Sequence, residues 1–280
     1  MLWAKAQINS DKITSPNGFG IVFMTSYPAR FGSCSIALDH LSSGTVQPRR
    51  VVLYLTKEET AHFNGHLPST IKRLQSRGIE IVFLDKNYRV YNKLPVFLEK
   101  DYVAEINSTT PINIDPIITL DDDKIPPPFV LELLKNAYAI RKDIVLNFVV
   151  ENMRFARDGT QMKVSLYKAK DDRPKMMALT NGLGAVLYPQ NALQSIRKHG
   201  LDFLNFSPTN DDVWFRFCNI ADGIYCRQVL PEPVRFRQIP FTHHLGIWTI
   251  NFSQHLSGAV VNHKYLISTF NHFGITKLSD

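Results

Sequence analysis

The chain has 280 residues, and its 32 Lys and Arg against 25 Asp and Glu give a net charge of +7. A hydrophobic fraction of 44% with only 20% charged residues is typical of a folded globular protein and excludes intrinsic disorder as its main state. Three cysteines (Cys34, Cys218 and Cys226) are too few for a disulfide scaffold and favour a reducing compartment. Neither a signal peptide nor a membrane-spanning apolar stretch is visible. We therefore expect a soluble cytoplasmic protein, and its basic balance allows an acidic partner: a membrane surface, a nucleotide or a nucleic acid.

The front part of the chain alternates between apolar strand-like runs and helical spacing. The pattern predicts strands at 21–25, 51–55, 79–84 and 117–120, and helices at 33–41, from 67 to Gly78, and at 90–98. This order is typical of a parallel sheet with helices on its faces. Because ligands bind outside the carboxyl ends of such strands, the loops after Thr25, Leu84 and Leu120 should share one edge of the fold.

The regularity fades after the three prolines at 126–128. A helix is predicted from Phe129 to Ala139, followed by short β-like runs and a C-terminal third rich in aromatic residues, histidine and proline. We predict a single α/β domain over residues 1–280, with a Rossmann-type nucleotide-binding half (20–125) whose mostly parallel sheet is flanked by helices. An irregular half (126–280) should pack against it.

Three consecutive aspartates, Asp121, Asp122 and Asp123, directly follow the fourth predicted strand. Carboxylates at i and i+2, at the point where a buried strand leaves the sheet, can point together into a cleft. There they can hold a hard divalent cation that also takes phosphate oxygens as ligands. The alternatives are a solvated acidic loop, or a cap of the helix that follows Pro126.

The loop after the first strand contains Thr25, Ser26, Tyr27 and Arg30. Its hydroxyls, aromatic ring and guanidinium could bind a ribose, a nucleobase and a phosphate. Taken alone, the segment is an ordinary turn, and the predicted sheet edge is what favours the binding interpretation.

These segments together resemble bacterial glycosyltransferases of the GT-A fold. The resemblance rests on ordered motifs over about residues 20 to 230: Thr25-Ser26-Tyr27-Pro28-x-Arg30, Val51-Val52-Leu53-Tyr54-Leu55, Asn92-Lys93-Leu94-Pro95, Ile118-Thr119-Leu120-Asp121-Asp122-Asp123, Gly182-Leu183-Gly184-Ala185-Val186-Leu187-Tyr188-Pro189 and Asn210-Asp211-Asp212-Val213-Trp214. It implies that the aspartate run is a DxD motif of the type found in surface-polysaccharide and lipopolysaccharide synthesis, binding a divalent metal (Mn²⁺ or Mg²⁺) and the diphosphate of a nucleotide sugar.

On the donor side, the resemblance implies that Asp121 and Asp123 serve the metal or the ribose, with Asp123 the preferred metal ligand. The loop from Thr25 to Arg30 and Asp122 would belong to the nucleotide site. Lys93 would lie near the diphosphate or the donor sugar, with a solvated helix lysine as the alternative.

On the acceptor side, Gly182 and Gly184 would let a sugar ring approach the backbone, and Trp214 or Tyr188 would offer an apolar face. A tight turn into a strand is the alternative for the glycines. Asp212, or else Asp211, would take the proton of the acceptor hydroxyl as general base. The alternative is that this pair begins a helix that starts at Val213, with Asn210 or Asp211 as its cap.

Several histidines could complete the metal shell, which GT-A enzymes often do with a C-terminal histidine. His255 is the first choice and His263 the second; a lone histidine is more often a surface residue. The other candidates are His243, His244 and His272.

The predicted function is metal-dependent transfer of a sugar, from a UDP-linked donor, to a glycan or lipid-linked glycan acceptor, with inversion if an aspartate is the base. The basic surplus allows peripheral contact with the inner face of the cell membrane, although a solvated basic face is favoured. No nucleic-acid module is recognisable. The alternatives are a nucleotidyltransferase acting on sugar phosphates and a non-catalytic nucleotide- or carbohydrate-binding module.

Overall fold

The computed structural model describes residues 8–64, 66–95, 115–158, 161–242 and 258–275. Its centre is a seven-stranded, mostly parallel sheet with the strand order β11-β6-β10-β4-β1-β2-β3. The seven strands are β1 (Ile21–Thr25), β2 (Arg50–Thr56), β3 (Ile79–Leu84), β4 (Ile117–Leu120), β6 (Val145–Asn147), β10 (Ala185–Tyr188) and β11 (Cys226–Gln228). The predicted fold class, a mixed α/β fold built on a mostly parallel sheet, is confirmed.

The remaining strands form two smaller sheets. They contain β5 (Lys124–Ile125) paired with β12 (Arg237–Gln238), and β7 (Val150–Asp158) between β8 (Gln161–Lys168) and β9 (Ala178–Thr180). The helices are α1 (Phe31–Ser42), α2 (Lys57–Thr60), α3 (Ser69–Ser76), α4 (Val130–Ile140), α5 (Gln190–Lys198), α6 (Phe203–Phe206), α7 (Asp211–Ala221) and α8 (Gly258–His272), with 3₁₀ turns at Pro28–Arg30, Ala61–Phe63 and Arg89–Lys93.

The inner strands of the central sheet are buried on both faces, and their apolar residues occupy successive rather than alternate positions. The edge strand β3 exposes Glu80 and Phe83. In β1, Val22 and Met24 pack towards α1, α3 and α4 in one apolar cluster. Phe23 on the same strand points to the other face, where Ile196 of α5 and Phe215 of α7 form a second cluster. The fold is therefore a three-layer arrangement of helices, sheet and helices.

The part of the chain after residue 126 contains more regular structure than the sequence predicts. It supplies β6, β10 and β11 to the central sheet, where β10 runs antiparallel to β4 and to β6. The sequence indicates short β-like runs in this part of the chain, but strands of three or four residues are too short for their periodicity to place them in the central sheet. Both halves consequently share one sheet.

The strands predicted at 21–25, 79–84 and 117–120 have those boundaries in the structure. The helix predicted over 90–98 is instead a 3₁₀ turn, Arg89–Lys93, and residues 96–98 lie outside the described residues. Pro95 explains the early end, because a proline disfavours helical backbone at the residue before it. In the described part of the chain, no helix combines the length and apolar character needed to cross a bilayer.

Candidate functional site

The loops after β1 and β4 meet at the carboxyl-terminal edge of the central sheet, as the sequence predicts. β1 pairs in parallel with β4, so Ser26 and Asp122 leave the sheet side by side. The Ser26 hydroxyl donates to Oδ2 of Asp122 (2.6 Å), and Nη1 of Arg30 donates to Oδ1 (2.6 Å). Burial raises the pKa of Asp122 to about 6, although Arg30 and Ser26 both act to lower it. Asp122 therefore ties the two loops together.

Asp123 is held by groups from three parts of the chain. Its Oδ2 accepts from Nη2 of Arg30 (2.9 Å) and from Nε2 of Gln238 (2.9 Å), and its Oδ1 lies 4.0 Å from Nζ of Lys124. Gln238 reaches Asp123 because β12 pairs with β5, which begins at the next residue. Sequence reasoning missed Gln238, since a two-residue strand gives no periodic signal.

Lys93 lies between the two aspartate motifs. Its Nζ is 3.4 Å from Oδ1 of Asp121 and 2.9 Å from Oδ2 of Asp211. Burial alone would lower the pKa of Lys93, but the carboxylates of Asp211, Asp121 and Asp212 outweigh it and hold that pKa well above its ordinary value. Lys93 is thus a buried cation, not the solvated helix lysine of the alternative interpretation.

Asp211 and Asp212 form the first turn of α7. The Asn210 side chain caps this helix by accepting from the Val213 amide at 3.0 Å. The helix therefore begins at Asp211, two residues before the predicted start at Val213. Carboxylates in the first turn are stabilised by the helix dipole. The same two aspartates that begin the helix also face Lys93 and the loop before β10.

The Asp212 carboxylate is enclosed by the backbone of Gly182. Its Oδ2 accepts from the Gly182 amide at 2.8 Å, whereas its buried Oδ1 meets no donor among the described residues. Burial and the neighbouring charge of Asp211 raise the pKa of Asp212 to about 7, against the lowering effect of Lys93 and of the Gly182 amide. A carboxylate with a pKa near neutrality can both accept and release a proton at physiological pH.

Gly182 gives room to Asp212 rather than to a ligand. A Cβ atom on Gly182 would lie 2.9 and 3.0 Å from the two carboxylate oxygens of Asp212, so any other residue would force that carboxylate to move. Gly184 is buried, and a Cβ there would touch Phe236 at 3.4 Å and Phe148 at 3.5 Å. Both glycines therefore face the protein interior, and the predicted close approach of an acceptor sugar to them has no support in this geometry.

Two further predicted residues are engaged in structural contacts. The Thr25 hydroxyl donates to the carbonyl oxygen of Tyr54 on the neighbouring strand at 3.0 Å. Trp214 is fully buried and stacks on Phe206, with ring centroids 6.2 Å apart. An apolar face of Trp214 is therefore not open to an acceptor, because α8 and α6 cover the ring. The Tyr27 ring stays half-exposed, 6.0 Å from the Arg30 guanidinium.

The predicted histidine ligands are not tested by these contacts. His255, His243 and His244 lie outside the described residues. His263 lies in α8, and His272 stacks on Phe206 with ring centroids 3.9 Å apart. Within the described ranges, no group of three or more His, Cys, Asp or Glu side chains is arranged to hold a metal ion.

The electrostatics of the site nevertheless suit a divalent cation. Asp121 pairs with Lys93 through Oδ1, and Asp123 pairs with Arg30 through Oδ2. Burial is the largest cause of the raised pKa of Asp121, and repulsion from the Asp123 carboxylate raises it further. Five carboxylates here face three cations, Arg30, Lys93 and Lys124. The residues present therefore fit a hard cation that takes its remaining ligands from elsewhere.

Comparison with known proteins gives similarity to solved structures alone. No protein-family model matches the chain, and no curated protein matches it. It is similar to S. aureus TarS 1-349 with 12% identity and a TM-score of 0.46, over 92% of this chain and 72% of that one. It is also similar to the mannosyltransferase PcManGT from Pyrobaculum calidifontis, in complex with GDP-Man and Mn²⁺, with 14% identity and a TM-score of 0.45, over 98% and 76%. At these values the similarity concerns the path of the chain and says nothing of donor, metal or acceptor.

Proposed function

We propose that this chain is a metal-dependent glycosyltransferase of the GT-A type. It would move a sugar from a nucleotide-diphosphate donor, UDP-linked, to a hydroxyl group of a glycan acceptor in bacterial surface polysaccharide synthesis. The observation that supports this best is the position of Lys93, which pairs with both Asp121 and Asp211. The candidate donor motif and the candidate base therefore belong to a single site.

On the donor side, Asp121 and Asp123 would hold a manganese or magnesium ion. When bound, the ion neutralises the charge that develops on the departing nucleoside diphosphate. Lys93 would add a second positive charge close to the same leaving group. Asp122 would position the loop that contains Ser26 and Arg30 rather than bind the donor itself, since both of its oxygens already accept from these two residues.

On the acceptor side, Asp212 would act as the general base of an inverting displacement. The acceptor oxygen attacks the anomeric carbon, the bond from that carbon to the diphosphate breaks, and the hydroxyl proton passes to Asp212. A pKa of about 7 suits this role, because the group is largely ionised at slightly alkaline pH and still basic enough to take the proton. Asp211 is the weaker candidate, since its Oδ2 is paired with Lys93.

The first experiment is a thermal-shift panel of UDP, GDP, CMP and ADP, each with and without Mn²⁺. We expect a rise in the melting temperature with UDP that requires the metal, and slow hydrolysis of a UDP-sugar by the same sample. A shift with GDP or CMP instead would keep the enzyme class and change the donor. No shift with any nucleotide, in a folded sample, would contradict the proposal.

Matched variants make this experiment specific to the site. Asp123→Asn should abolish the metal-dependent part of the UDP shift and the hydrolysis. Asp143→Asn is the control, because Asp143 is an exposed carboxylate in the turn between α4 and β6 whose partner is the exposed Arg141. Equal behaviour of the two variants would remove Asp123 from the metal site.

The two alternatives predict different products. A nucleotidyltransferase would release pyrophosphate from a nucleoside triphosphate, and it usually has a glycine-rich basic loop after the first strand. Here Ser26 and Arg30 fill that loop and are bonded to Asp122, which disfavours this alternative. A non-catalytic binding module would show the nucleotide shift without any turnover of the donor.

A further inference from the structure

The segment from Phe236 to Thr242, which contains β12, contacts both the loop before β10 and the end of the aspartate run. Phe236 packs on Gly184, and its amide donates to the carbonyl oxygen of Leu183, in the loop before β10. Three residues later the Ile239 amide donates to the carbonyl oxygen of Asp123 at 2.8 Å. This segment therefore connects the Gly182–Gly184 loop with the end of the aspartate run.

The turn that ends this segment is fastened to Asp123 by side chains. Gln238 donates through Nε2 both to Asp123 Oδ2 (2.9 Å) and to the Thr242 hydroxyl (2.6 Å). The Thr242 hydroxyl in turn donates to the carbonyl oxygen of Ile239 at 2.7 Å and is buried. The backbone from Ile239 to Thr242 is consequently held two hydrogen bonds away from the Asp123 carboxylate.

Phe241 lies within this fixed turn, and its side chain is 90% exposed. No large hydrophobic side chain in the described part of the chain is more exposed. Its backbone has a φ of +64°, a left-handed conformation that glycine and asparagine adopt far more readily than a bulky residue. Folding alone would favour glycine at this position, so an exposed aromatic ring here needs another explanation.

We propose that Phe241 is the aromatic platform on which a sugar ring of the acceptor stacks. The inference rests on the proposed function. Phe241 would then offer the apolar face that the sequence analysis expects from Trp214, because Trp214 is buried under α6 and α8. The turn that carries Phe241 is tied to Asp123, and the segment before it is tied to the loop that binds Asp212. An exposed aromatic ring at this place can bind the apolar face of a pyranose. The ligand class is therefore a hexopyranoside.

The test measures glycoside binding directly, without requiring turnover. Saturation-transfer NMR would be recorded with methyl glycosides of glucose, galactose and mannose, in the presence of UDP and Mn²⁺. We expect saturation of the sugar ring protons in the wild type, and about 5- to 10-fold weaker binding in Phe241→Ala. Phe129→Ala is the control, because Phe129 is also an exposed phenylalanine. It precedes α4, and its neighbour Pro128 contacts Thr45 beyond the far end of α1.

A second variant separates binding from folding. Phe241→Gly removes the ring and relieves the left-handed backbone, so we expect the melting temperature to rise by about 2 to 4 °C while glycoside binding falls. A residue with a purely structural role would lose stability instead. Unchanged glycoside binding in Phe241→Ala, or no binding of any glycoside by the wild type, would overturn the proposal.

The donor side gives the remaining outcomes. Loss of the metal-dependent UDP shift in Phe241→Gly would place the ring against the donor nucleotide and overturn the acceptor assignment. If the wild type shows no UDP shift but binds a glycoside through Phe241, the proposed function is contradicted, whereas the assignment of Phe241 as a sugar-binding residue is supported.

Discussion

The Nζ atom of Lys93 lies 2.9 Å from Oδ2 of Asp211, and both side chains are about nine-tenths buried. The same ammonium group is 3.4 Å from Oδ1 of Asp121, so one cation serves carboxylates from two segments of the chain. Removing one partner of a buried ion pair leaves a charge without compensation, which costs more than the pair itself contributes. The stability and the chemistry of the site should therefore both depend on Lys93.

Replacing Lys93 by methionine should destabilise the protein in a pH-dependent way. We expect the free energy of unfolding to fall by about 3 kcal/mol at pH 8, because the buried carboxylates lose their counter-charge. The loss should be smaller at pH 5, since Asp212, with a pKa of about 7, and Asp121, whose pKa is also raised, become protonated more readily. Urea unfolding at the two pH values measures the difference.

The control for this variant is Lys57→Met, which breaks the exposed pair between Lys57 and Asp85. Exposed pairs contribute less than about 1 kcal/mol, so its unfolding curve should barely move. An equal loss for Lys93→Met at pH 5 and pH 8 would contradict the electrostatic explanation.

The pH dependence of transfer should report the ionisation of Asp212. The base must be deprotonated to act, and its pKa is raised to about 7, so kcat/KM should increase as the pH rises through about 7 and then level off. Asp212→Asn should lose this rise together with most of the activity, while the UDP shift is retained. A normal rate in Asp212→Asn would mean either that Asp211 is the base or that the reaction needs no aspartate base.

The same variant should be more stable than the wild type at alkaline pH. The pKa of Asp212 is higher in the folded state than in the unfolded chain, so ionisation costs folding free energy as the pH rises from about 4 to about 7. Asparagine keeps an acceptor for the Gly182 amide without the charge. We expect the free energy of unfolding of this variant at pH 8 to increase by on the order of 1 kcal/mol, measured by chemical denaturation. A lower free energy of unfolding than in the wild type would mean that the carboxylate stabilises the fold.

Gly182→Ala should damage catalysis more than folding. The new Cβ atom would come within 3.0 Å of the Asp212 carboxylate, which must move to accept it. A displacement of about 1 Å at a reacting group can lower the rate by about 100-fold. Steady-state kinetics should show this loss in kcat, with the nucleotide shift unchanged.

Gly32→Ala is the matched control, because a Cβ atom on this α1 residue meets nothing within 4 Å. It should be neutral or slightly stabilising, since alanine favours helix over glycine. Similar kinetic losses in the two glycine variants would show that Gly182 does not act through Asp212.

Asn210→Ala should weaken the start of α7. The Asn210 side chain accepts from the Val213 amide, and loss of such a cap costs about 1 kcal/mol of stability. Because Asp211 and Asp212 form the first turn, fraying should also lower kcat. Asn210→Ser should restore most of both properties; a serine variant as impaired as alanine would mean that the cap is not the cause.

Much of the central sheet, the meeting of the loops after β1 and β4, and the cap of α7 can be predicted from local sequence. Apolar runs such as Ile21–Thr25 and Ile117–Leu120 are long enough to show their strand character, and the rule that parallel strands end at one edge brings Ser26 close to Asp122. The cap at Asn210 is likewise a local signal, because a cap depends on residues only three positions apart.

Tertiary structure alone decided how the remaining polar groups are paired. Gln238 meets Asp123 through two strands of two residues each, and Lys93 meets Asp211 across 118 positions of the chain. Contacts of this range depend on how whole elements pack, which no periodicity encodes. The same packing buries Trp214 and exposes Phe241, two aromatic residues whose sequence surroundings do not reveal which of them meets solvent.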